Sequence, residues 1–105
     1  MVPQNIFSFL EALNVNNTRE WFNEHKDWYL QAKSECDAVA IKLIALIREL
    51  DPQVGPLTPA DCTYRIYRDT RFATDKIPYK THMGVFVNRG GRKSQFGGYY
   101  LHIEP

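Results

Sequence analysis

Residues 17–50 read NTREWFNEHKDWYLQAKSECDAVAIKLIALIREL, with no proline or glycine among them. Trp21, Phe22, His25, Trp28, Tyr29, Ala32, Cys36, Val39, Ala40, Leu43, Ile44, Ile47 and Leu50 recur at steps of three and four. That spacing stacks side chains on one face of an α-helix. Asn17 is a favourable N-cap, and Glu20 three residues later completes a capping-box pattern. Asp51-Pro52 and Gly55-Pro56 end the run, because proline has no N–H and disfavours helical backbone before it. The stretch predicts a long helix from Asn17 or Thr18 to about Asp51, about 50 Å if continuous, with room for a bend near Lys33–Glu35. Trp21, His25, Trp28 and Tyr29 lie on its apolar stripe and read as packed core.

Upstream, Ile6, Phe9, Leu10 and Leu13 share helical spacing and predict a short first helix. Asn14 and Asn16-Asn17 break it, being residues that favour turns and caps. Downstream the character changes near residue 60. Thr63–Tyr67 reads as a first strand, Thr81–Asn88 as a second and Tyr99–Glu104 as a third, antiparallel to the second. A charged loop from Arg68 to Lys80 joins the first two. A Gly-rich connection, Arg89-Gly90-Gly91-Arg92 through Gly97-Gly98, joins the last two. The predicted fold class is therefore α+β: one short and one long N-terminal helix packed on a small, mainly antiparallel sheet. The sheet is expected to be incomplete at the C-terminus, where the chain stops just after a strand and leaves an open edge that invites pairing with another copy.

The chain has 105 residues, 44% of them hydrophobic, which suits at most one domain. We read 1–105 as one α+β domain or the N-terminal part of a longer one, with 1–52 helical and 60–105 holding strands and the basic loop. No apolar run approaches the roughly 18–20 residues that span a bilayer; the longest, Val39–Ile47, is interrupted by Lys42. The N-terminus lacks the basic flank and apolar stretch of a secretory signal. No membrane association is expected, and a cytoplasmic location is. Cys36 and Cys62 form neither a CxxC pair nor a metal spacing, and read as free structural thiols rather than a disulfide.

Charge is asymmetric. Residues 1–52 carry five Lys/Arg against eight Asp/Glu, and residues 53–105 carry eight against four. The basic half hints at an anionic partner. Strand alternation then sorts the faces. Met83, Val85, Val87, Tyr99, Leu101 and Ile103 are expected to face the core. Arg65, Tyr67, His82, Tyr100, His102 and Glu104 are expected to gather on the opposite face, and Tyr64 to share a face with Ile66. Arg65, Arg68, Arg71, Lys76 and Lys80 would suit a phosphate or a polyanion, since arginine captures oxyanions bidentately and lysine adds a point charge. Tyr67 or Tyr100 could stack on a ring. The bland alternative is that Asp69 and Asp75 pair with neighbouring cations. His82, His102 and Glu104 could form a two-histidine, one-carboxylate metal site, or an acid–base pair, though strand histidines are more often simply hydrogen-bonded. The glycine pairs match no phosphate-loop or dinucleotide fingerprint, so no cofactor is expected.

Three runs also resemble a known family. Asn17-Thr18-Arg19-Glu20-Trp21-Phe22, followed by His25-Lys26 and Tyr29, resembles its opening signature. Tyr64-Arg65-Ile66-Tyr67-Arg68-Asp69-Thr70-Arg71-Phe72, with Asp75-Lys76 and Pro78-Tyr79-Lys80-Thr81-His82, resembles its central one, Tyr64 standing where Phe is usual. Gly98-Tyr99-Tyr100-Leu101-His102-Ile103-Glu104-Pro105 resembles the third. The family is domain of unknown function 2461, found in bacteria and fungi. The resemblance implies an α+β fold and a chain that normally continues beyond the third signature, making this one an N-terminal portion. It implies no activity, but its signatures coincide with the polar face and the basic loop. Three functional readings follow. The leading one is a binding module for an anionic ligand, a phosphate-bearing small molecule before nucleic acid, since the near-neutral net charge of +1 is low for a nucleic-acid reader. The second is a hydrolase-like or metal-dependent enzyme using His82, His102 and Glu104. The third is a structural, self-associating domain.

Overall fold

The computed structural model describes residues 2–89 and 97–105. Along the chain it forms α1 (Gln4–Val15), α2 (Arg19–Glu24), α3 (Lys26–Leu50), a 3₁₀ turn (Pro52–Val54), α4 (Pro59–Cys62), β1 (Met83–Asn88) and β2 (Gly98–Ile103). The helices pack on a two-stranded antiparallel sheet. Among the described residues no helix is long and apolar enough to cross a membrane. The Gly90-Gly91-Arg92 part of the predicted Gly-rich connection lies outside the described residues.

The continuous helix expected from Asn17 is two helices. His25 separates them at φ −113°, ψ 23°. Its Nδ1 sits 2.8 Å from the Trp21 carbonyl oxygen, and its ring stacks on the Trp21 ring with centroids 4.1 Å apart. The Trp21 carbonyl still accepts the His25 N–H at 3.1 Å, a bond shared with the Phe22 carbonyl at 3.1 Å, as at a helix end. The N-cap also differs. Thr18, not Asn17, accepts the Trp21 N–H, at 3.2 Å. Asn17 instead reaches across the fold to Tyr79. Its Nδ2 donates to the Tyr79 carbonyl at 3.0 Å, and its Oδ1 accepts the Tyr79 N–H at 3.1 Å.

From Tyr29 to Ile47 the predicted stripe holds, with Tyr29, Ala32, Cys36, Val39, Ala40, Ile44 and Ile47 buried. Leu50, the last member, is exposed beyond the end of the core. α1 contributes Ile6, Phe9, Leu10 and Leu13, all fully buried. It is fixed to α3 by a polar relay in which Trp28 Nε1 donates to Asn5 Oδ1 and Asn5 Nδ2 donates to Glu35 Oε1, each at 2.9 Å. Of the aromatic stripe expected as core, Tyr29 is buried, Trp21 and Trp28 are half-buried against the core, and His25 is half-buried; beside them Phe22 stacks on Tyr79 at 4.1 Å and Phe9 meets Trp28 edge-on at 5.5 Å. Val85, Val87 and Ile103 close the core from the sheet. Each fully buried aliphatic side chain of this kind contributes about 1.5–3 kcal/mol.

The expected first strand does not form as a strand. Thr63 makes an isolated bridge to Val85, and Tyr67 another to Tyr79. Around the second bridge Arg68 N–H donates to the Pro78 carbonyl at 3.0 Å and Lys80 N–H to the Ile66 carbonyl at 2.8 Å. Pro78 has no N–H to return, so the ladder cannot extend toward Arg68. Without regular pleating Tyr64 and Ile66 part company: Ile66 is buried and Tyr64 is exposed. Tyr99, expected to face the core, is also exposed, lying beyond the cover of α3 although it pairs with buried Val87.

Cys36 and Cys62 are buried and form no disulfide with each other. Burial, reinforced by nearby Asp37, pushes the Cys36 thiol up to about 11. Buried as they are, both thiols should resist alkylation at neutral pH until the chain unfolds. Asn17→Ala, which removes both bonds to Tyr79, should lower folding stability by about 1–3 kcal/mol. Asn17→Asp, which keeps only the acceptor, should fall between. Urea titration checks this, and an unchanged midpoint for Asn17→Ala would deny the bridge its structural role.

Candidate metal centre

The register Met83↔Ile103, Gly84↔His102, Val85↔Leu101, Phe86↔Tyr100 turns Met83, Val85, Leu101 and Ile103 to the core side. The other side carries Tyr100 and His102. His82 precedes β1 and Glu104 follows β2, so both stand at the same end of the ladder as His102. The ligand atoms of His82, His102 and Glu104 all lie within 4.8 Å of one another. His82 and His102 stack with ring centroids 4.7 Å apart and an interplanar angle of 25°.

The bonding within the group is directional. His102 Nε2 lies 2.7 Å from Glu104 Oε1, and His102 Nδ1 lies 2.9 Å from Tyr100 Oη. A tyrosine hydroxyl can donate or accept. It can therefore serve a His102 whose Nε2–H faces Glu104, or one whose Nδ1–H faces Tyr100 and whose Nε2 lone pair is free for a cation. Fixing a ligating histidine through its other nitrogen is a recurrent feature of metal sites. The His102 ring holds the Glu104 carboxyl below its usual range. Burial, with His102 nearby, lowers His82. Burial, with Tyr64 nearby, raises Tyr100, which stays a phenol.

Gly84 makes the arrangement possible. A Cβ at Gly84 would stand 2.7 Å from Tyr100 Oη and 2.9 Å from its Cε1. The bare backbone lets the tyrosine lie across β1 and still reach His102.

Four of the five predicted cations are bonded within or beside their own loop. Arg71 Nη2 is held by Asp69 Oδ2 at 2.9 Å, and Lys76 Nζ by the Thr70 carbonyl at 2.6 Å, both within the exposed loop. Arg68 pairs with Asp75 at 2.5 Å and bonds the Ile77 carbonyl at 3.0 Å. Lys80 donates to the Arg65 carbonyl at 2.8 Å and lies over the Tyr64 ring. Arg71 holds the Asp69 carboxyl below its usual range, and Arg68 does the same for Asp75. Burial and then Arg65 lower Lys80. Arg65 is exposed. Tyr67 packs on Phe22 and Tyr79, its hydroxyl 3.5 Å from Lys26 Nζ.

Arg68 and Lys80 alone of the five line an open cleft of about 260 Å³, together with Asn14, Asn17, Thr81 and His82. A smaller hollow of about 70 Å³ adjoins it, sharing Asn14 and Thr81 and bounded by Glu104. Asn14, Asn17, Thr81 and Gly84 were not singled out as site residues from the sequence. Asn17, Thr81 and their neighbours lie inside the family signatures, which was the available signal; Gly84 carried none.

Gly84→Ala should displace the Tyr100 ring, whose far end yields easily, while leaving the chain folded. The expected readout is a changed hydrogen-bonding signature of the His102 Nδ1 in imidazole ¹⁵N spectra. An unchanged signature would place Tyr100 outside the centre.

No curated protein and no solved structure matches the chain. A family model does, described as conserved hypothetical protein (DUF2461), over residues 5–105. The match takes in all three signature runs, including the residues of the histidine–glutamate cluster, and the chain belongs to that family.

Proposed function

We propose that this domain binds a divalent transition metal at His82, His102 and Glu104 and uses it for hydrolytic chemistry. The observation that carries the reading is the approach of three ligand atoms, from two strand ends, within 4.8 Å. Two imidazoles and one carboxylate, with a fourth position left to water, are a donor set that catalytic zinc uses. Tetrahedral zinc at bond lengths of ~2.0–2.1 Å needs its donors about 3.3 Å apart. The half-exposed side chains of His102 and Glu104 can close the difference by small rotations. A cation would replace the proton now shared by His102 Nε2 and Glu104 Oε1, with Tyr100 Oη then accepting from Nδ1–H. Water bound to zinc in such a site ionises near neutral pH, which supplies a nucleophile.

This reading stands ahead of the five-cation anion module, because Arg68, Arg71, Lys76 and Lys80 already bond to partners in their own loop or beside it. Two buried cysteines that form no disulfide with each other suit a reducing compartment, and we take the location to be cytoplasmic.

Isothermal titration of chelator-stripped protein with zinc should show one ion per chain. His102→Ala and His82→Ala should each weaken it by about a hundredfold or more, since even an outer partner of a metal ligand is worth 10–100-fold. Equal zinc binding by wild type and both variants would overturn the assignment.

A further inference from the structure

The cleft beside the histidine–glutamate cluster differs in character from the rest of the basic loop. Arg68, Lys80 and His82 all line its wall. The smaller hollow beside it shares Asn14 and Thr81 and is lined by Glu104. Two of the three proposed metal ligands thus line this pair of neighbouring hollows, His82 the cleft and Glu104 the smaller one.

The donors of that wall come from separate parts of the chain. Arg68 spends Nη1 on Asp75 and Ile77, and a guanidinium carries five N–H donors in all. Lys80 spends one donor on the Arg65 carbonyl and has three. Asp75 balances the charge of Arg68, whereas the charge nearest to Lys80 is that of Arg65, of the same sign. The Thr81 hydroxyl and the Asn14 amide add neutral donors.

We infer that this cleft seats the phosphate group of a phosphate-ester substrate, between Arg68 and Lys80 on one side and the metal on the other. The inference rests on the metal reading, because His82, which lines the cleft, and Glu104, which lines the hollow beside it, are also the proposed holders of the ion. Phosphate is favoured over carboxylate by the count of acceptors. A guanidinium, an ammonium and a metal approaching from three directions need three oxygens. A phosphate monoester offers three besides its ester oxygen, while a carboxylate offers two. A volume of about 260 Å³ also leaves room for part of the group that the phosphate esterifies.

The test titrates phenyl phosphate, with benzoate in parallel, into the full chain loaded with one equivalent of zinc. Phenyl phosphate should bind at least about tenfold more tightly than benzoate. Lys80→Met and Arg68→Gln should each weaken it about tenfold or more, as loss of one charge-assisted contact does, with zinc affinity unchanged. Because Arg68 also braces its loop, Lys80→Met decides if the Arg68 variant folds poorly. Zinc binding without phenyl phosphate binding, equal affinity for benzoate, or no effect of Lys80→Met would overturn this inference while leaving the metal reading intact. Failure to bind zinc at all would overturn the metal reading, and this inference with it.

Discussion

The antiparallel register that sets Gly84 opposite His102 also sets Met83 opposite Ile103 and Val85 opposite Leu101. One pairing therefore decides both faces of the ladder. On the inner face it brings Val85, Val87 and Ile103 against the buried stripe of α3. On the outer face it sets Tyr100 over a glycine and brings His82, His102 and Glu104 to one end. A slip of one residue would exchange the faces, burying the histidine and exposing the aliphatics. A two-stranded ladder is marginal by itself in water. Its register is held because the aliphatic side chains have somewhere to go, and that place is the helix.

A second constraint acts at a distance. Asn17, between α1 and α2, takes both backbone groups of Tyr79, and the Tyr79 ring stacks on Phe22 of α2. The chain from Tyr79 to His82 is thus fixed to the helical layer just before β1 begins. Lys80, Thr81 and His82 inherit their positions from that anchor. The cleft lies where the helical half of the sequence meets the strand half, with Asn14 and Asn17 from one and Arg68, Lys80, Thr81 and His82 from the other.

Much of this was legible in the residues. Helical spacing over Tyr29–Ile47 gave the buried face of α3, and strand alternation gave Val85, Val87 and Ile103 as core and His102 and Glu104 as their opposites. The break at His25 was not legible, because no proline or glycine marks it and the contacts of the His25 side chain with the Trp21 carbonyl and ring leave no trace in spacing. Nor was the loss of the first strand. Thr63–Tyr67 has the composition of a strand, but its two bridges, to Val85 and to Tyr79, are out of register with each other, so no continuous ladder joins them. The loop cations were read as one group because charge is visible in a sequence and pairing is not. Asp69 engages Arg71 and Asp75 engages Arg68, and of the group Arg68 and Lys80 line the cleft. Asn17 was seen as a cap by its place before a helix, whereas its partner is a backbone unit far along the chain.

The account turns on whether three side chains from two strand ends share one ion. X-ray absorption at the zinc edge on the loaded chain tests that directly. The account predicts a first shell of nitrogen and oxygen donors at ~2.0–2.1 Å, with the outer-shell scattering of two imidazoles, falling to that of one imidazole in His102→Ala. A shell containing sulfur, or a spectrum identical in wild type and His102→Ala, would contradict it.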